Sequence, residues 1–379
     1  MKMNKKTLII IAAAVVVVLA VVLAVVLAGG NKTPDATTTK PTTTTTTTTT
    51  TKPSGNDPVV TGDYTLGMGV AFGDHTNAQI NMTIATVVVD ANGVIVACRL
   101  DAVQNKFAVD FDNEAVNFTS LKTKMELGDA YGMATSPYSP DNNGDGIVKE
   151  WYEQAKAFEA HVVGMTAAEV AAMTTQFVND HHISTDADLL AAGCTIQIGE
   201  FRDAVVAACN DDQAVKFAAV DNFVLGLGAN SADNGSALND DGAAVKMNVD
   251  FASVVVVDGI IVAALNDAYQ PAVSIDWENA VTNTGDQRTK REKKEDYGMA
   301  SSPYSPDNDG DGRVLEWYVQ SAAFSAHVVG MTGAQVEGME TQFKNDHYIS
   351  TDADLLAAGC TIQITGLTAV VAEAATNAR

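Results

Sequence analysis

Two acidic loops have the residue types and the spacing of a calcium-binding site. The pattern Asp-x-Asn/Asp-x-Asp-Gly occurs at 141–146 and again at 307–312. This spacing directs three oxygen-bearing side chains toward one point while the glycine allows a sharp turn, which suits a hard cation such as Ca²⁺. The carbonyl of the next residue takes the place of a main-chain ligand. The predicted ligands are Asp141, Asn143, Asp145, Ile147 and Glu150 in the first loop, and Asp307, Asp309, Asp311, Arg313 and Glu316 in the second.

The loops depart from an EF-hand in two respects. An EF-hand has a bidentate glutamate at its twelfth loop position, where this chain has Tyr152 and Tyr318, and the acids common to both loops stand two residues earlier. The sequence Ser-Pro-Tyr-Ser-Pro before each loop disfavours a helix. The sequence therefore predicts an EF-like loop whose calcium ion holds it in shape. The alternative is a solvated turn that binds no ion.

Other side chains capable of catalysis do not form a known active-site pattern. The sequence has no Ser/His/Asp, HExxH or CxxC arrangement, no phosphate-binding glycine loop and no dinucleotide fingerprint. Asp186 and Asp188 are predicted to be helix caps. His161 and His327 are predicted to be core or capping residues, and the four cysteines are predicted to be buried, inert thiols. An enzyme is therefore the least favoured class.

The excess of acidic residues limits the kinds of molecule that the protein is expected to bind. The 379 residues include 47 acidic and 23 basic side chains, which gives a formal net charge of −24. A surface this negative repels phosphate backbones and attracts cations. The sequence therefore predicts no nucleic-acid partner.

The acidic loops belong to a unit that occurs twice. The stretch ISTDADLLAAGCTIQI at 183–198 recurs unchanged at 349–364, and Tyr131 recurs as Tyr297, both displaced by 166 residues. The sequence therefore predicts two tandem modules, at 58–212 and 213–379.

Each module is predicted to be α+β, a small antiparallel sheet with helices. Stretches rich in Val and Ile predict hairpins at 79–103 and 246–266. Helical periodicity follows at 151–163, and a capping-box pattern opens a helix at 166–177. A strand at 194–198 and a closing helix at 200–209 complete the module. Since strands and helices are segregated along the chain, α+β is favoured over a doubly wound sheet.

The region before the modules is predicted to be a membrane anchor and a spacer. Lysines at positions 2, 5 and 6 precede an apolar run at 8–28, long enough as a helix to span roughly 30 Å of bilayer. Residues 1–30 are therefore predicted to be cytoplasmic lysines and a single transmembrane helix in the cell membrane, with the modules on the extracellular side. Cleavage after residue 30 is the alternative. Residues 31–57, rich in threonine and proline, are predicted to be an unfolded stalk.

The order of elements resembles the FMN-binding domain of bacterial flavoproteins, in particular its tandem forms on membrane-attached extracellular electron-transfer proteins of Gram-positive bacteria. The stretches that carry the resemblance are VIVACRLDAVQ (94–104), KTKMELGDAYGM (122–133), EWYEQAKAF (150–158) and TDADLLAAGCTI (185–196). They occur in both copies in related form, so that the resemblance covers most of each module.

The resemblance implies a covalent flavin in each copy and a membrane or surface redox partner. In that family a threonine of a Ser/Thr-Gly-Ala-Ser/Thr motif carries FMN through a phosphoester. The matching stretches here are Ala-Gly-Cys-Thr at 192–195 and 358–361. FMN is therefore expected on Thr195 and Thr361, beside Gly193 and Gly359. Because Ala and Cys replace two motif residues, non-covalent flavin and a fold without cofactor stay open, as does a threonine packed beside a buried cysteine.

These patterns predict a membrane-anchored cell-surface protein with duplicated, calcium-stabilised binding or structural modules. The alternative is an extracellular FMN-carrying electron-transfer protein. The sequence leaves the oligomeric state and the physiological partner open.

Overall fold

The computed structural model describes residues 63–379, apart from positions 74, 76, 77, 138, 284, 304, 309 and 311. The predicted anchor at 1–30 and the predicted stalk at 31–57 lie outside the described residues, as do the candidate ligands Asp309 and Asp311. Within the described part of the chain, no helix has the length and apolar character needed to cross a bilayer.

The first copy, together with one strand that follows its predicted end at residue 212, builds a five-stranded antiparallel sheet. Its strands are β1 Asp63–Phe72, β2 Gln79–Val89, β3 Ile95–Asp110, β4 Ala115–Phe118 and β7 Val215–Ala218, in the order β4-β3-β2-β1-β7. The predicted hairpin is confirmed by β2 and β3, in which Ile84 lies opposite Asp101. Asp90 closes the turn between them, because its carboxylate accepts the backbone amides of Asn92 at 2.8 Å and Val94 at 2.9 Å.

Mostly short helices follow the sheet. They are α1 Lys124–Leu127, α2 Trp151–Val162, α3 Ala167–Ala171, α4 Ala187–Ala191 and α5 Gly199–Cys209, with a 3₁₀ turn at Gly128–Tyr131 and a hairpin of β5 Thr175–Val178 and β6 His181–Ser184. Thr123 and Thr166 begin α1 and α3 as capping boxes. Asp186 caps α4 by accepting the amides of Asp188 and Leu189, which confirms its predicted role.

Two predicted elements are wrong in whole or in part. The helix predicted at 166–177 ends at Ala171, and the later residues form β5 instead. The strand predicted at 194–198 is irregular backbone. The reason is local: the amide of Thr195 donates to the side chain of Gln154 at 2.8 Å, so it does not enter a strand ladder.

In the second copy the elements after the sheet repeat the order of the first copy, but the sheet itself has six strands instead of five. Its strands are β8 Val224–Asp233, β9 Ala237–Asn239, β10 Gly242–Val257, β11 Ile260–Tyr269, β12 Ala272–Ile275 and β13 Val281–Asn283. The elements that follow are α6 Lys290–Lys293, a 3₁₀ turn at Lys294–Tyr297, α7 Trp317–His327, α8 Gly333–Glu337, β14 Thr341–Lys344, β15 His347–Ser350, α9 Ala353–Ala357 and α10 Thr365–Asn377. The second predicted hairpin is confirmed, because Val256 of β10 lies opposite Ile261 of β11.

The two sheets pack face to face, and helices cover their outer faces. The core between the sheets contains buried side chains of both copies, such as Ile84 and Phe251. Along β2 the alternate side chains point the other way, so that Val87 packs with Phe158 of α2 in a second core. The second sheet has a matching outer core with α7 and α10. The fold is thus α+β with antiparallel sheets, and both copies belong to one compact unit.

Equivalent residues of the two copies touch where the sheets meet. Thr86 lies opposite Arg99, and Ser253 lies opposite Leu265. Arg99 and Leu265 are separated by the repeat distance, so Thr86 and Ser253 hold equivalent positions. Their buried hydroxyl groups are hydrogen-bonded to each other. Contact between equivalent residues is the mark of an isologous, twofold-like pairing, here between two halves of one chain.

Candidate functional site

The first acidic loop is closed by its own carboxylates. One oxygen of Asp141 accepts the amide of Gly144 and the other accepts the amide of Gly146, both at 2.7 Å. Both glycines have a positive φ, of 75° and 82°, which a residue with a side chain rarely adopts. Hydrogen bonds from these amides, Gly146 foremost, hold the pKa of Asp141 below its ordinary value. The loop therefore keeps a defined shape through bonds within the chain.

Two other ligand candidates of the first loop, Asn143 and Asp145, are exposed and hydrogen-bonded within the turn. Asn143 Nδ2 donates to Asp145 Oδ2 at 3.0 Å, and the amide of Ile147 donates to Asp145 Oδ1 at 2.8 Å. The side chain of Ile147 points into solvent, with 60% of the residue exposed. Among the described residues, no group of three or more His, Cys, Asp or Glu side chains is arranged to hold a metal ion. A cation in this loop would therefore depend on amide and carbonyl oxygens as well as carboxylates.

The second loop closes in the same way where it is described. Asp307 accepts the amides of Gly310 at 2.7 Å and Gly312 at 2.9 Å. Arg313, whose carbonyl was the predicted ligand, is exposed.

Glu150 and Glu316 lie apart from the loop turns and hold the preceding segment. Glu150 is the N-cap of α2 and is only 5% exposed. Its two oxygens accept the amides of Met133 at 2.9 Å and Ala134 at 3.0 Å. Glu316 bonds in the same way, at the same two distances, in the second copy. Each glutamate thus ties the start of a long helix to the turn after the 3₁₀ segment.

An asparagine clamp joins each loop to the Ala-Gly-Cys-Thr segment, and no sequence motif predicts it directly. Asn142 Nδ2 donates to the carbonyl of Thr195 at 2.8 Å, while its Oδ1 accepts Asn179 Nδ2 at 3.0 Å. In the second copy Asn308 makes the same bond to Thr361 at 2.8 Å. The only signal in the sequence was that both asparagines belong to the repeated motif Ser-Pro-Tyr-Ser-Pro-Asp-Asn.

The threonines expected to carry flavin point toward the interior. Thr195 is 4% exposed and Thr361 is 8% exposed. Thr195 Oγ1 donates to Gln154 Oε1 at 3.3 Å, and Thr361 Oγ1 donates to Gln320 Oε1 at 3.2 Å. For FMN to be attached through a phosphoester at either oxygen, the threonine hydroxyl would have to break this hydrogen bond and become exposed to solvent.

The glycine and cysteine beside these threonines are fixed by crowding and burial. Gly193 and Gly359 have φ values of 89° and 87°. A Cβ on Gly193 would lie 2.5 Å from Lys149 Nζ, the group that donates to the carbonyl of Ala192 at 2.8 Å. Cys194 and Cys360 are buried, and burial raises the pKa of each thiol to about 12. These two cysteines are therefore inert thiols, as predicted.

Each copy also places a histidine beside the aspartate that caps a short helix. His161 Nε2 lies 3.6 Å from Asp186 Oδ2, and His327 Nε2 lies 3.6 Å from Asp352 Oδ2. Sequence reasoning did not bring these residues together, because 25 positions separate each pair in the chain. The pairs lie on the opposite end of α2 and α7 from Glu150 and Glu316.

Comparison with known proteins gives little further information. No protein-family model matches the chain, and no solved structure matches it significantly. A chlorophenol reductase of Desulfitobacterium hafniense is 32% identical over 123 residues, which cover 28% of this chain. The chain spans 35%, about a third, of the length of that curated relative.

Proposed function

We propose that this is a membrane-anchored cell-surface protein whose two modules form one rigid binding or structural domain, with a calcium ion in each acidic loop. The observation that carries the proposal is the repeated asparagine clamp, from Asn142 to Thr195 and from Asn308 to Thr361. Because each clamp connects a loop to a buried segment, an ion that fixes the loop also fixes part of the module's core.

The donor atoms of the loop suit a hard cation. The carboxylates of Asp141 and Asp145, the side-chain oxygen of Asn143 and the carbonyl of Ile147 are all oxygen donors, as Ca²⁺ requires. Both Asp141 oxygens already accept backbone amides of the loop, so a bound ion would share the carboxylate with these hydrogen bonds. The negative net charge of the chain raises the local concentration of cations. In this proposal Glu150 positions helix α2, and the loop supplies the ligands.

Calcium binding of this kind stabilises the fold by mass action. A ligand that binds only the folded state at ten times its dissociation constant adds about 1.4 kcal/mol per site. Sites of extracellular modules have dissociation constants on the order of 0.1–1 mM. Calcium at about 1 mM therefore occupies about half of the loops at the weak end of this range and about nine-tenths at the tight end.

Thermal unfolding of the full-length chain, with calcium and with a chelator, tests the proposal. Calcium should raise the melting temperature, and the double variant Asp141→Asn with Asp307→Asn should lose the increase. Asp90→Asn is a matched control, because Asp90 also accepts two backbone amides in an exposed turn but lies outside the loops. Equal melting temperatures in calcium and chelator would contradict the proposal, and so would an increase that persists in the double variant.

A flavin-carrying electron-transfer function is the second candidate. It is supported by the Gly-Cys-Thr segment that recurs in both copies and by the partial likeness to a protein named as a reductase. The buried hydroxyls of Thr195 and Thr361 weigh against it. The two candidate functions can be distinguished by producing the chain in a host that has the flavin transferase and recording its colour. Yellow protein whose colour is lost in Thr195→Ala with Thr361→Ala supports the carrier, and colourless protein removes it.

A further inference from the structure

Each copy contains a cluster of one histidine, two methionines and one aspartate, which we call the His-Met-Asp cluster. In the second copy all four residues line one cavity of about 290 Å³: His327, Met331, Met339 and Asp352. The repeat places His161, Met165, Met173 and Asp186 at the same positions in the first copy. The calcium proposal uses none of these residues.

The histidine and the aspartate are separated by a distance that a shared ion would span. Nε2 and Oδ2 are 3.6 Å apart in His327–Asp352 and again in His161–Asp186. This is too long for a good hydrogen bond. Two ligands bonded at about 2.0–2.1 Å to one tetrahedral ion lie roughly 3.3–3.5 Å apart. The observed separation is therefore close to that of two ligands of one metal.

The histidine nitrogen lacks a hydrogen bond in both copies. Nε2 of His161 and Nε2 of His327 are shielded from solvent and have no hydrogen-bond partner. Buried polar atoms are nearly always hydrogen-bonded, so an exception that occurs twice at equivalent positions needs a physical reason. An ion between the imidazole and the carboxylate supplies one.

The aspartate is held in an orientation that leaves one oxygen for the ion. Asp352 Oδ1 accepts the amides of Asp354 at 2.9 Å and Leu355 at 3.0 Å, as the cap of α9. Its Oδ2 faces His327. Asp186 is bonded in the same way at the start of α4. Because the cap fixes Oδ1, Oδ2 cannot turn away from the histidine without breaking two hydrogen bonds.

The methionine backbones are fixed as well. The carbonyl of Met331 accepts the amide of Ile261 at 2.9 Å, and the carbonyl of Met165 accepts the amide of Ile95 at 2.8 Å. These bonds fasten the turn after each long helix to the start of a strand. The amide of Met339 bonds to Val336 at 3.2 Å, just after α8. In each cluster the histidine is thus carried by the end of a long helix, and the methionines and the aspartate by hydrogen-bonded turns and a helix cap.

We propose that each His-Met-Asp cluster binds one monovalent copper ion through the imidazole, the free carboxylate oxygen and the thioether sulfurs. Thioether and imidazole ligands favour soft ions such as Cu⁺ over the hard cations that all-oxygen sites prefer. The acidic character of the chain draws cations of either kind. The clusters and the acidic loops therefore select different metals, and neither proposal depends on the other.

Silver(I) is a redox-inert probe of the same softness. The full-length chain carrying Cys209→Ser, which removes the partly exposed thiol that would itself bind silver, is kept in calcium and dialysed against Ag⁺, and the bound metal is counted. Two ions per chain are expected. The pair Met331→Leu and Met339→Leu conserves side-chain volume and should leave one ion, as should Met165→Leu with Met173→Leu, and the four changes together should leave none. Met247→Leu, in the core between the sheets, is the control that keeps both ions.

The outcomes are decisive in either direction. The proposal is supported if the intact chain binds two silver ions, each paired variant binds one, and the fourfold variant binds none. No bound silver in the intact chain overturns it and leaves an ordinary His-Asp ion pair. Two ions retained in the fourfold variant overturn thioether ligation, as does displacement of silver by an equal concentration of Zn²⁺. Thermal unfolding checks each variant's fold, and the two paired variants substitute for each other if one does not fold.

Discussion

Removal of the asparagine clamp in the second module should destabilise the metal-free protein measurably. Asn308 is 4% exposed, and its side chain donates to the carbonyl of Thr361 at 2.8 Å and accepts from Asn345 at 3.0 Å. Asn308→Ala removes both bonds and leaves a buried carbonyl without its donor. At about 0.5–1.5 kcal/mol for each hydrogen bond, and with the desolvation cost of the orphaned carbonyl, the loss should be about 2–3 kcal/mol.

The assay is urea unfolding in chelator, with Asn113→Ala as the matched control. Asn113 also donates from its side chain to one acceptor, Asp110 at 2.8 Å, but in an exposed turn. Its replacement should change the free energy of unfolding by less than about 0.5 kcal/mol. Equal effects of the two variants would refute the view that the clamp is part of the module's core. A second refuting result is an Asn308→Ala variant as stable as the unaltered chain.

Three further results are expected. Gly226→Ala should lower the free energy of unfolding in urea by about 1–3 kcal/mol or more, because the new Cβ would lie 1.9 Å from a backbone oxygen of α10. Gly199→Ala is the control and should be tolerated, since the space around its Cβ is open. Equal losses of stability in the two variants would contradict the packing described. Burial raises the pKa of Asp101 to about 7, so the folded state retains a proton that the unfolded state loses, and stability should fall as pH rises from about 4 to 7. Asp101→Asn should flatten that decline, and an unchanged pH slope would count against the assignment. Maleimide labelling of the native chain should modify Cys209, which is partly exposed, before it modifies Cys360, which is buried. Faster labelling of Cys360 would contradict its burial.

The sequence predicted the elements whose causes are local. The hairpins followed from Val- and Ile-rich strands around short turns, and Asp90 closes the first turn with its own carboxylate. Thr166 and Asp186 begin helices because their side chains accept amides only a few residues away. Because such contacts join residues only a few positions apart in the chain, the pattern of residue types is enough to predict them.

The elements that depend on distant contacts were not predictable in this way. The segment after Gly193 was predicted to be a strand, but the amide of Thr195 bonds to Gln154, 41 positions earlier. The sequence predicts Glu150 as a loop ligand, although it stands two residues before the EF-hand position, and its oxygens bond to Met133 and Ala134 before the loop. In both cases residue type and spacing allowed several partners, and the tertiary fold selected one.

The sequence repeat alone does not predict how the two copies pack against each other. Duplication predicted two similar modules, but an array of separate domains has the same sequence signature. In the face-to-face packing β2 is covered on both faces, as the nearly complete burial of Gln79–Val89 shows, although the strand includes polar residues. A strand covered on both faces loses the alternation that marks a half-exposed sheet.

The proposed calcium sites of the two acidic loops are tested most directly by counting the calcium ions that the chain binds. Chelator-treated full-length chain is brought to equilibrium across a dialysis membrane with radiolabelled calcium at concentrations around the expected dissociation constant, on the order of 0.1–1 mM. Two ions per chain are expected for the intact protein, and one ion for each of the single variants Asp141→Asn and Asp307→Asn. Retention of no calcium above the buffer level by the intact chain, or of two ions by both variants, would contradict the proposed sites.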